Sequence, residues 1–297
     1  MAVTETQSVP ASPSPRAASA AGGVLVAYQG EAGAYSEEGV HTLWPSAEHV
    51  PVASIRKVFE AVEVGRVDYG LVPIDNSQAG SINETYDLFL KHGLHLIGEA
   101  IVRIDHCVAA LPNSSLDDLT EIISHPQAIA QCEEFLTALG ISLRADYDTA
   151  GAAKRIADEK LEFTGAIASR RAADLYGLRV LAERIQTYPD NYTRFGALSR
   201  NPSALRAPDK SSLVFGVSHV AGSLYRCLGA FAERHLNLAK LESRPRAGRP
   251  WEYVMHIDVE AAANQPEMVA ALAEVSEHAT FTRLLGSYAS ALTRRRL

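Results

Sequence analysis

The chain has 297 residues, of which 47% are hydrophobic and 21% charged. That length fits two domains better than one small module, and the composition supports buried cores. With 28 Lys and Arg against 35 Asp and Glu, the net charge of −7 speaks against nucleic acid as the main partner. No apolar run approaches the roughly 18 residues of a membrane span, so no membrane partner is expected. The three cysteines, Cys107, Cys132 and Cys227, are odd in number and widely spaced. They indicate reduced thiols in a cytoplasmic setting and not a disulfide scaffold.

Residues 1–23 are dominated by Ala, Ser, Pro and Gly, which fill 15 of the 23 positions. Such a segment cannot bury a core and is expected to be a disordered tail without a secretory h-region. Val24–Tyr28 then reads as a buried strand, and Tyr69–Ile74 as a second one that runs into a polar turn at Asp75–Gly80. Ser81 and Glu84 have capping-box spacing ahead of Ile82, Tyr86, Phe89 and Leu90, which recur at helical intervals. Ser124 and Gln127 repeat that spacing before Ile129, Cys132, Leu136 and Leu139, with Gly140 as the stop. Asp148-Thr149 opens an Ala-rich helix through Ile156. Strands alternating with helices indicate an α/β domain.

Around Asn201–Lys210 the chain turns polar and Pro-containing, as a linker does. Beyond it the apolar positions Leu213, Phe215 and Val217 alternate, Leu224, Leu228 and Phe231 form a helical stripe, and Tyr253, Met255, Ile257 and Val259 alternate again. Met268, Leu272 and Val275 mark a second helix and Leu284-Leu285 a last strand, with residues 238–241 the candidate for one more. The order predicts a ferredoxin-like βαββαβ unit.

The usual cofactor signatures are missing. There is no GxGxxG after a strand, no GxxxxGK[ST], no GxSxG, no HExxH and no CxxC. His92 and His95 are read as surface histidines and not as metal ligands. What remains is a cofactor-free enzyme or a binding protein. Polar groups recur where strands give way to helices, at Gly30–Ser36, Asn76-Ser77, Ser124–Gln127 and Asp148-Thr149. Helix starts carry unpaired N–H donors, so several together suit a ligand with more than one carboxylate, although each alone reads as a plain cap. Asn191–Phe195 is read as a loop leading into an apolar strand. In it Arg194 offers a fork for a carboxylate and Thr193 a hydroxyl for a leaving oxygen.

Taken together these stretches resemble the prephenate dehydratases that carry a C-terminal ACT regulatory domain. The resemblance rests on Gly30–Glu37, Val72–Ser77, Ser124–Cys132, Asp148–Ala153, Gly165–Ser169 and Asn191–Phe195, then on Ala221–Leu224, Asn237-Leu238 and Glu242–Pro245. It implies an α/β fold in which a two-lobed, periplasmic-binding-protein-like catalytic domain over 24–205 precedes a ferredoxin-like ACT domain over 211–291. Residues 24–100 and 190–205 would form one lobe and the intervening chain the other. The implied reaction is the decarboxylating dehydration of prephenate to phenylpyruvate, driven by aromatisation and needing no cofactor or metal. By the same match Thr193 would assist departure of the hydroxyl and Arg194 would hold a substrate carboxylate. Asn76, Ser77, Ser124, Gln131, Thr149 and Phe195 would complete the pocket. L-phenylalanine would act as effector at Ala221, Gly222, Ser223, Leu224, Asn237, Glu242, Ser243, Arg244 and Pro245, between subunits of a homodimer or homotetramer joined through the ACT domains.

Two departures touch substrate choice. Asp75 stands where the family usually has Glu, and Gln78-Ala79 replaces a more usual acidic-Gly pair. The sequence from Ser77 to Leu88 is similar to arogenate dehydratases, which makes arogenate the alternative substrate. A different class, a non-catalytic amino-acid sensor, would bind ligand without turning it over.

Overall fold

Buried apolar residues at Val26–Tyr28 and Leu71–Val72 set β1 (Leu25–Gln29) and β3 (Tyr69–Asn76) side by side as a parallel pair. The computed structural model describes residues 23–245 and 252–291, so the tail expected over 1–23 lies, but for its last residue, outside the described residues. Lobe one runs β1, α1 (Tyr35–Leu43), β2 (Glu48–Val52), α2 (Ile55–Glu63), β3, β4 (Gly80–Ser81), α3 (Asn83–Lys91) and β5 (His95–Arg103). Lobe two runs β6 (Cys107–Ala110), β7 (Glu121–Ser124), α4 (Pro126–Gln131), α5 (Glu133–Leu139), β8 (Ser142–Ala145), α6 (Thr149–Glu159), β9 (Thr164–Ala168), α7 (Arg170–Leu175) and β10 (Arg179–Glu183). The chain then returns to lobe one as β11 (Tyr192–Ser199), which slots between β3 and β5.

The two sheets are ordered β2-β1-β3-β11-β5 and β10-β6-β9-β7-β8. Because the chain crosses out after β5 and back before β11, two passes join the lobes and a cleft opens between them. Lobe one takes in all of β5, slightly more than the expected boundary at 100. The loop at residues 30–33 rests on lobe two: Ser169 Oγ donates to Gly33 O at 2.8 Å and Tyr176 Oη to Ala32 O at 2.8 Å.

Five local expectations change. The predicted loop at Asn191–Arg194 is strand from Tyr192 onward, and the predicted turn after Ile74 begins two residues later, because β3 and β11 pair through Asn76 and Thr193. The Ser81–Glu84 capping box is not made; Ile82 is the cap residue of α3, and the Ser81 hydroxyl instead meets Lys240 and Glu242 of the C-terminal unit. Ser124 is not a cap either. It ends β7 and its Oγ donates to Ile167 O at 2.7 Å, while the His125 ring caps α4 by accepting from Gln127 N. Finally, the single helix expected from Ser124 to Leu139 breaks at Cys132, since the Gln131 carbonyl accepts from Thr187 N at 2.8 Å instead of from the next turn.

The C-terminal unit consists of β12 (Lys210–Val217), α8 (Ser223–Ala232), β13 (Leu238–Pro245), β14 (Tyr253–Val259), α9 (Pro266–His278) and β15 (Phe281–Tyr288). Its sheet is antiparallel with order β13-β14-β12-β15, the ferredoxin-like arrangement. Leu213, Phe215, Met255, Ile257 and Val259 face the two helices, as their alternation requires. The opposite face does not meet water. Val214, Val254, Leu285 and Tyr288 join the core of lobe one with Ile74, Phe89 and Leu96. At Gly286 the backbones come so close that a Cβ would sit 1.7 Å from Leu96 O.

Candidate active site

The cleft between the lobes holds a cavity of about 380 Å³. Its lining includes Asn76, Gln131, Thr149, Thr193 and Phe195 of the residues singled out from sequence, together with Tyr35, Ser36, Ser54, His106, His125, Gln127 and Asp148. Among the described residues no Lys or Arg lines it. The first turns of α1, α2 and α6 open onto it at Ala34–Ser36, Ser54-Ile55 and Asp148-Thr149. Unpaired N–H donors and the positive ends of helix dipoles therefore supply what positive potential the cavity has.

A bulge decides which side chains reach this cavity. In the β3–β11 ladder Phe195 faces Pro73, but Arg194 faces Asp75 and Thr193 faces Asn76, so β3 spends one extra residue at Ile74. Strict alternation from Pro73 would send Asp75 into the cleft and Asn76 away from it. The extra residue reverses that parity. Asn76 comes to lie beside Thr193 on the cleft face, and Asp75 beside Arg194 on the other.

The polar groups at the cavity floor form a chain whose direction is fixed by backbone. Gln78 N and Ala79 N both donate to Asn76 Oδ1, at 3.0 and 2.9 Å. The Asn76 amide nitrogen must therefore point the other way. It donates to Thr193 Oγ1 at 3.0 Å and to Asn191 Oδ1 at 2.7 Å. Asn191 Nδ2 in turn donates to Gln131 Oε1 at 3.0 Å, and His106 Nε2 lies 3.0 Å from that same oxygen. Only an Nε2–H tautomer satisfies this last contact, and Tyr35 Oη, which donates its proton to Asp105 O at 2.8 Å, lies 3.2 Å from the bare His106 Nδ1. Burial lowers the His106 pKa and keeps the ring neutral. Two consequences follow for the cavity. Thr193 already accepts from Asn76, and its own O–H is left to donate; the Gln131 amide nitrogen donates to Asn76 Oδ1 at 3.4 Å and keeps its second proton for the cavity.

Asp148 caps α6 by accepting from Gly151 N at 2.9 Å, and burial raises its pKa. Gly30 sits against it at φ +116°, where a Cβ would lie 2.8 Å from Asp148 Oδ2, so only glycine fits that approach.

Three expected site residues do not line this cavity. Ser124 is fully buried behind the sheet, and Ser77 spends its hydroxyl on Asp190 O and Tyr192 N. Arg194 is the larger correction. Its guanidinium leaves the opposite face of β11 and meets Asp75 at 2.7 Å, Glu99 at 3.2 Å and Asp258 at 2.6 Å. Burial works against its charge, but the Asp258 carboxylate and then Asp75 outweigh it, and the pKa rises. Arg194 ties lobe one to the C-terminal sheet and does not reach the cleft.

No spacing or motif in the sequence marks His106 or Ser54, whereas Tyr35 and Asn191 lie within the stretches Gly30–Glu37 and Asn191–Phe195, which gave them no role. In the C-terminal unit, Ala221–Leu224 opens α8, with Gly222 at φ +83°. Pro245 and Val217 lie at the same end of the sheet, both in register with Tyr253, so Glu242–Pro245 and the start of α8 share that end. Asn237 precedes β13 at the other end, where its amide donates to Glu260 at 2.8 Å. Among the described residues no group of three His, Cys, Asp or Glu side chains is placed to hold a metal, and no helix is long and apolar enough to cross a membrane.

Residues 26–203 match the family description "Prephenate dehydratase". The chain is 44% identical over 276 residues to arogenate dehydratase/prephenate dehydratase 2, chloroplastic, of Arabidopsis thaliana, which spans 89% of this chain and 72% of the relative. A solved prephenate dehydratase from Arthrobacter aurescens in complex with L-Phe superposes with a TM-score of 0.82 at 30% identity, covering 90% of each chain. A structure named GqqA, described as a novel type of quorum-quenching acylase, gives the same TM-score at 33% identity, over 91% of this chain and all of that one.

Proposed function

This chain belongs to the prephenate dehydratase family, and on that premise we propose that its cleft converts prephenate to phenylpyruvate with loss of carbon dioxide and water. The bond from the ring to its carboxylate breaks, that electron pair completes the aromatic ring, and the ring hydroxyl departs on the other side and is protonated to water. Aromatisation drives the step, so the protein must bind two carboxylates and stabilise the departing oxygen. The observation that carries the reading is the Asn76–Thr193 hydrogen bond. It holds the Thr193 oxygen as an acceptor from Asn76 and leaves the hydroxyl proton to be donated into the cleft. The carboxylates are held by helix N-termini and by neutral donors such as Gln131 and Thr149, in place of the Arg194 contact expected from the motif.

Arogenate is the second reading. It carries an ammonium group where prephenate has a keto oxygen, and the cavity is lined by the carboxylates of Asp148 and Glu84 with no Lys or Arg among the described residues. Several similar curated proteins are named arogenate dehydratases, which points the same way.

For the C-terminal unit we propose an ACT domain that binds L-phenylalanine between subunits of a homo-oligomer. The Gly222 turn and the Glu242–Pro245 segment at one end of the sheet support it. The three free cysteines, all buried, fit a reducing compartment such as the cytoplasm. The test mixes the pure full-length chain with prephenate and follows phenylpyruvate by ultraviolet absorption, while a parallel reaction with arogenate is analysed for phenylalanine. Ligand binding without either product would make the protein a sensor and overturn the enzymatic reading.

A further inference from the structure

We propose that Lys240 and Asp258 of the C-terminal sheet are positioning residues for the Asn76–Thr193 pair, acting through Asp75 and Arg194. The inference rests on the dehydratase reading for what Thr193 does, and on geometry alone for how it is held.

The argument begins in the β3–β11 ladder. Asn76 pairs with Thr193, and the very next rung pairs Asp75 with Arg194. Consecutive strand residues point to opposite faces, so the rung that lines the cleft and the rung that faces the C-terminal unit share the same two peptide links. Any force on the Asp75–Arg194 rung is felt by the Asn76–Thr193 rung through rigid backbone.

That outer rung is gripped from both ends by the other domain. Arg194 Nε and Nη2 bond Asp75 at 3.1 and 2.7 Å, and Nη1 reaches Asp258 on β14 at 2.6 Å. Lys240 Nζ on β13 meets Asp75 Oδ2 at 2.9 Å and also Ser81 Oγ at 2.8 Å. Ser81 belongs to β4, whose two residues pair with Asp75 and Asn76, so Lys240 also fixes the outer side of the hairpin that supplies Asn76. Lys210 completes the network by bridging Glu99 and Asp258, at 3.0 and 3.5 Å. Arg194 is almost wholly enclosed, so its fork cannot swing to water when a carboxylate moves. A purely adhesive interface would not need charges here, because the surrounding contacts among Ile74, Phe89, Leu96, Val254 and Leu285 already supply apolar cover.

The chain of alternating charge does not stop at Lys240. Glu242 lies 3.4 Å from Lys240 Nζ, and Arg244 Nε lies 3.1 Å from Glu242. Contacts thus run without a gap from Arg244 and Glu242, in the segment read as the effector site, to the backbone that carries Thr193. Displacement of β13 by a ligand at that segment would reach the cleft by this path.

The test uses the full chain with Lys240→Met, Lys240→Arg, Asp258→Asn and, as a control in the same interface, Leu285→Ala. Each is assayed on prephenate and arogenate beside the unchanged protein, with melting temperature and hydrogen exchange of residues 192–195 measured in parallel. Lys240→Met and Asp258→Asn are expected to lower kcat about tenfold with KM within about twofold, the signature of a misplaced group and not of lost binding. Exchange over 192–195 should quicken while that of α9 does not. Lys240→Arg, which keeps a cation on Asp75, should recover most of kcat, and Leu285→Ala should lower the melting temperature with kcat unchanged. Unchanged kcat in folded Lys240→Met and Asp258→Asn, or an equal loss in Leu285→Ala, overturns the proposal. If the unchanged protein turns over neither substrate, the dehydratase reading has failed, and the exchange data alone decide the positioning claim: no faster exchange at 192–195 in either variant sinks it.

Discussion

Thr193 and Arg194 are neighbours in β11, yet their side chains leave opposite faces of one sheet, the first into the cleft and the second into the interface with the C-terminal unit. A motif that reads as a single catalytic tripeptide is therefore two devices back to back. One face presents the hydroxyl that the proposed function assigns to the departing oxygen; the other fastens the strand.

Removing only the Thr193 hydroxyl separates these roles. Thr193→Val keeps the side chain's shape but leaves the Asn76 amide with one acceptor fewer and the cleft without its donor. Turnover is expected to fall by about 10²-fold or more, since a positioned proton or hydrogen-bond donor contributes on that scale. KM should change little, because Thr193 is not assigned to either carboxylate. Steady-state kinetics on prephenate check this, and a variant with full turnover would strip Thr193 of its role.

Arg194 should behave as a structural ion and not as a substrate ligand. Arg194→Leu leaves Asp75, Glu99 and Asp258 sharing only lysines in a dry interface. The expected cost is about 3–5 kcal/mol of unfolding free energy, as for other buried pairs broken from one side. Arg194→Lys keeps the charge, loses the fork and should fall between. Urea denaturation reads both. A well-folded Arg194→Leu protein whose only defect is a raised KM would instead restore the carboxylate role expected from the motif.

Much of the fold was legible because apolar residue types are periodic. Leu213, Phe215 and Val217 alternate in β12 and Met255, Ile257 and Val259 in β14, α8 carries its stripe, and Gly140 stops α5 in a left-handed conformation as its position predicts. The site was legible as residue types, and Asn76, Gln131, Thr149, Thr193 and Phe195 do converge. Its errors came from information that period and spacing do not carry. The bulge at Ile74 reverses the facing of Asp75 and Asn76, and its one local signal is Pro73, a residue that an inner strand such as β3 tolerates at a bulge. The polar positions His256 and Asp258 alternate as a water-facing set would, but here that face is covered by lobe one. His106 earns its place only through side chains brought from Tyr35 and Gln131, both distant in sequence.

Docking of the two domains depends on a missing side chain at Gly286. A methyl there would overlap the Leu96 carbonyl oxygen, and because the neighbour is backbone it cannot rotate aside. Gly286→Ala should therefore destabilise by roughly 1–3 kcal/mol, in the range of overpacking. Gly229 in α8 provides the contrast, since a Cβ there meets nothing nearer than Glu233 Oε1 at 4.0 Å. Gly229→Ala should be neutral or stabilising by up to about 1 kcal/mol through helix propensity. Differential melting of the two variants is the check, and equal effects would mean the close approach at Gly286 carries no load.

Acid should loosen this interface in two separable stages. His256 lies buried in β14, edge-on to the Tyr86 ring at 4.6 Å, with Nδ1 unpartnered among the described residues. Burial pushes its pKa down to about 4, opposed by Glu242 and Asp258 and assisted by Lys240 and Arg244. A base whose folded value lies below its ordinary 6.5 takes its proton more readily in the unfolded chain. Stability is thus unaffected by His256 above pH 6.5 and declines as pH falls from there to about 4, by up to about 3 kcal/mol. Asp75 and Asp258 behave in the opposite window. Burial raises their pKa values, but Arg194 and the lysines outweigh it and hold both below the ordinary 3.8. Their contribution stays whole until pH drops under that value and is lost only as it passes through each folded pKa. His106, also lowered by burial, adds to the first stage from within the cleft. Urea unfolding at pH 7, 5.5 and 4.5 should accordingly show a shallower decline in His256→Gln than in the unchanged protein, the remainder combining the loss at His106 with the opposing gain at Glu38 and Asp148, whose carboxyls burial raises. Identical slopes in the two proteins would mean that His256 accepts its proton in the folded interface, and that the face between the domains admits water.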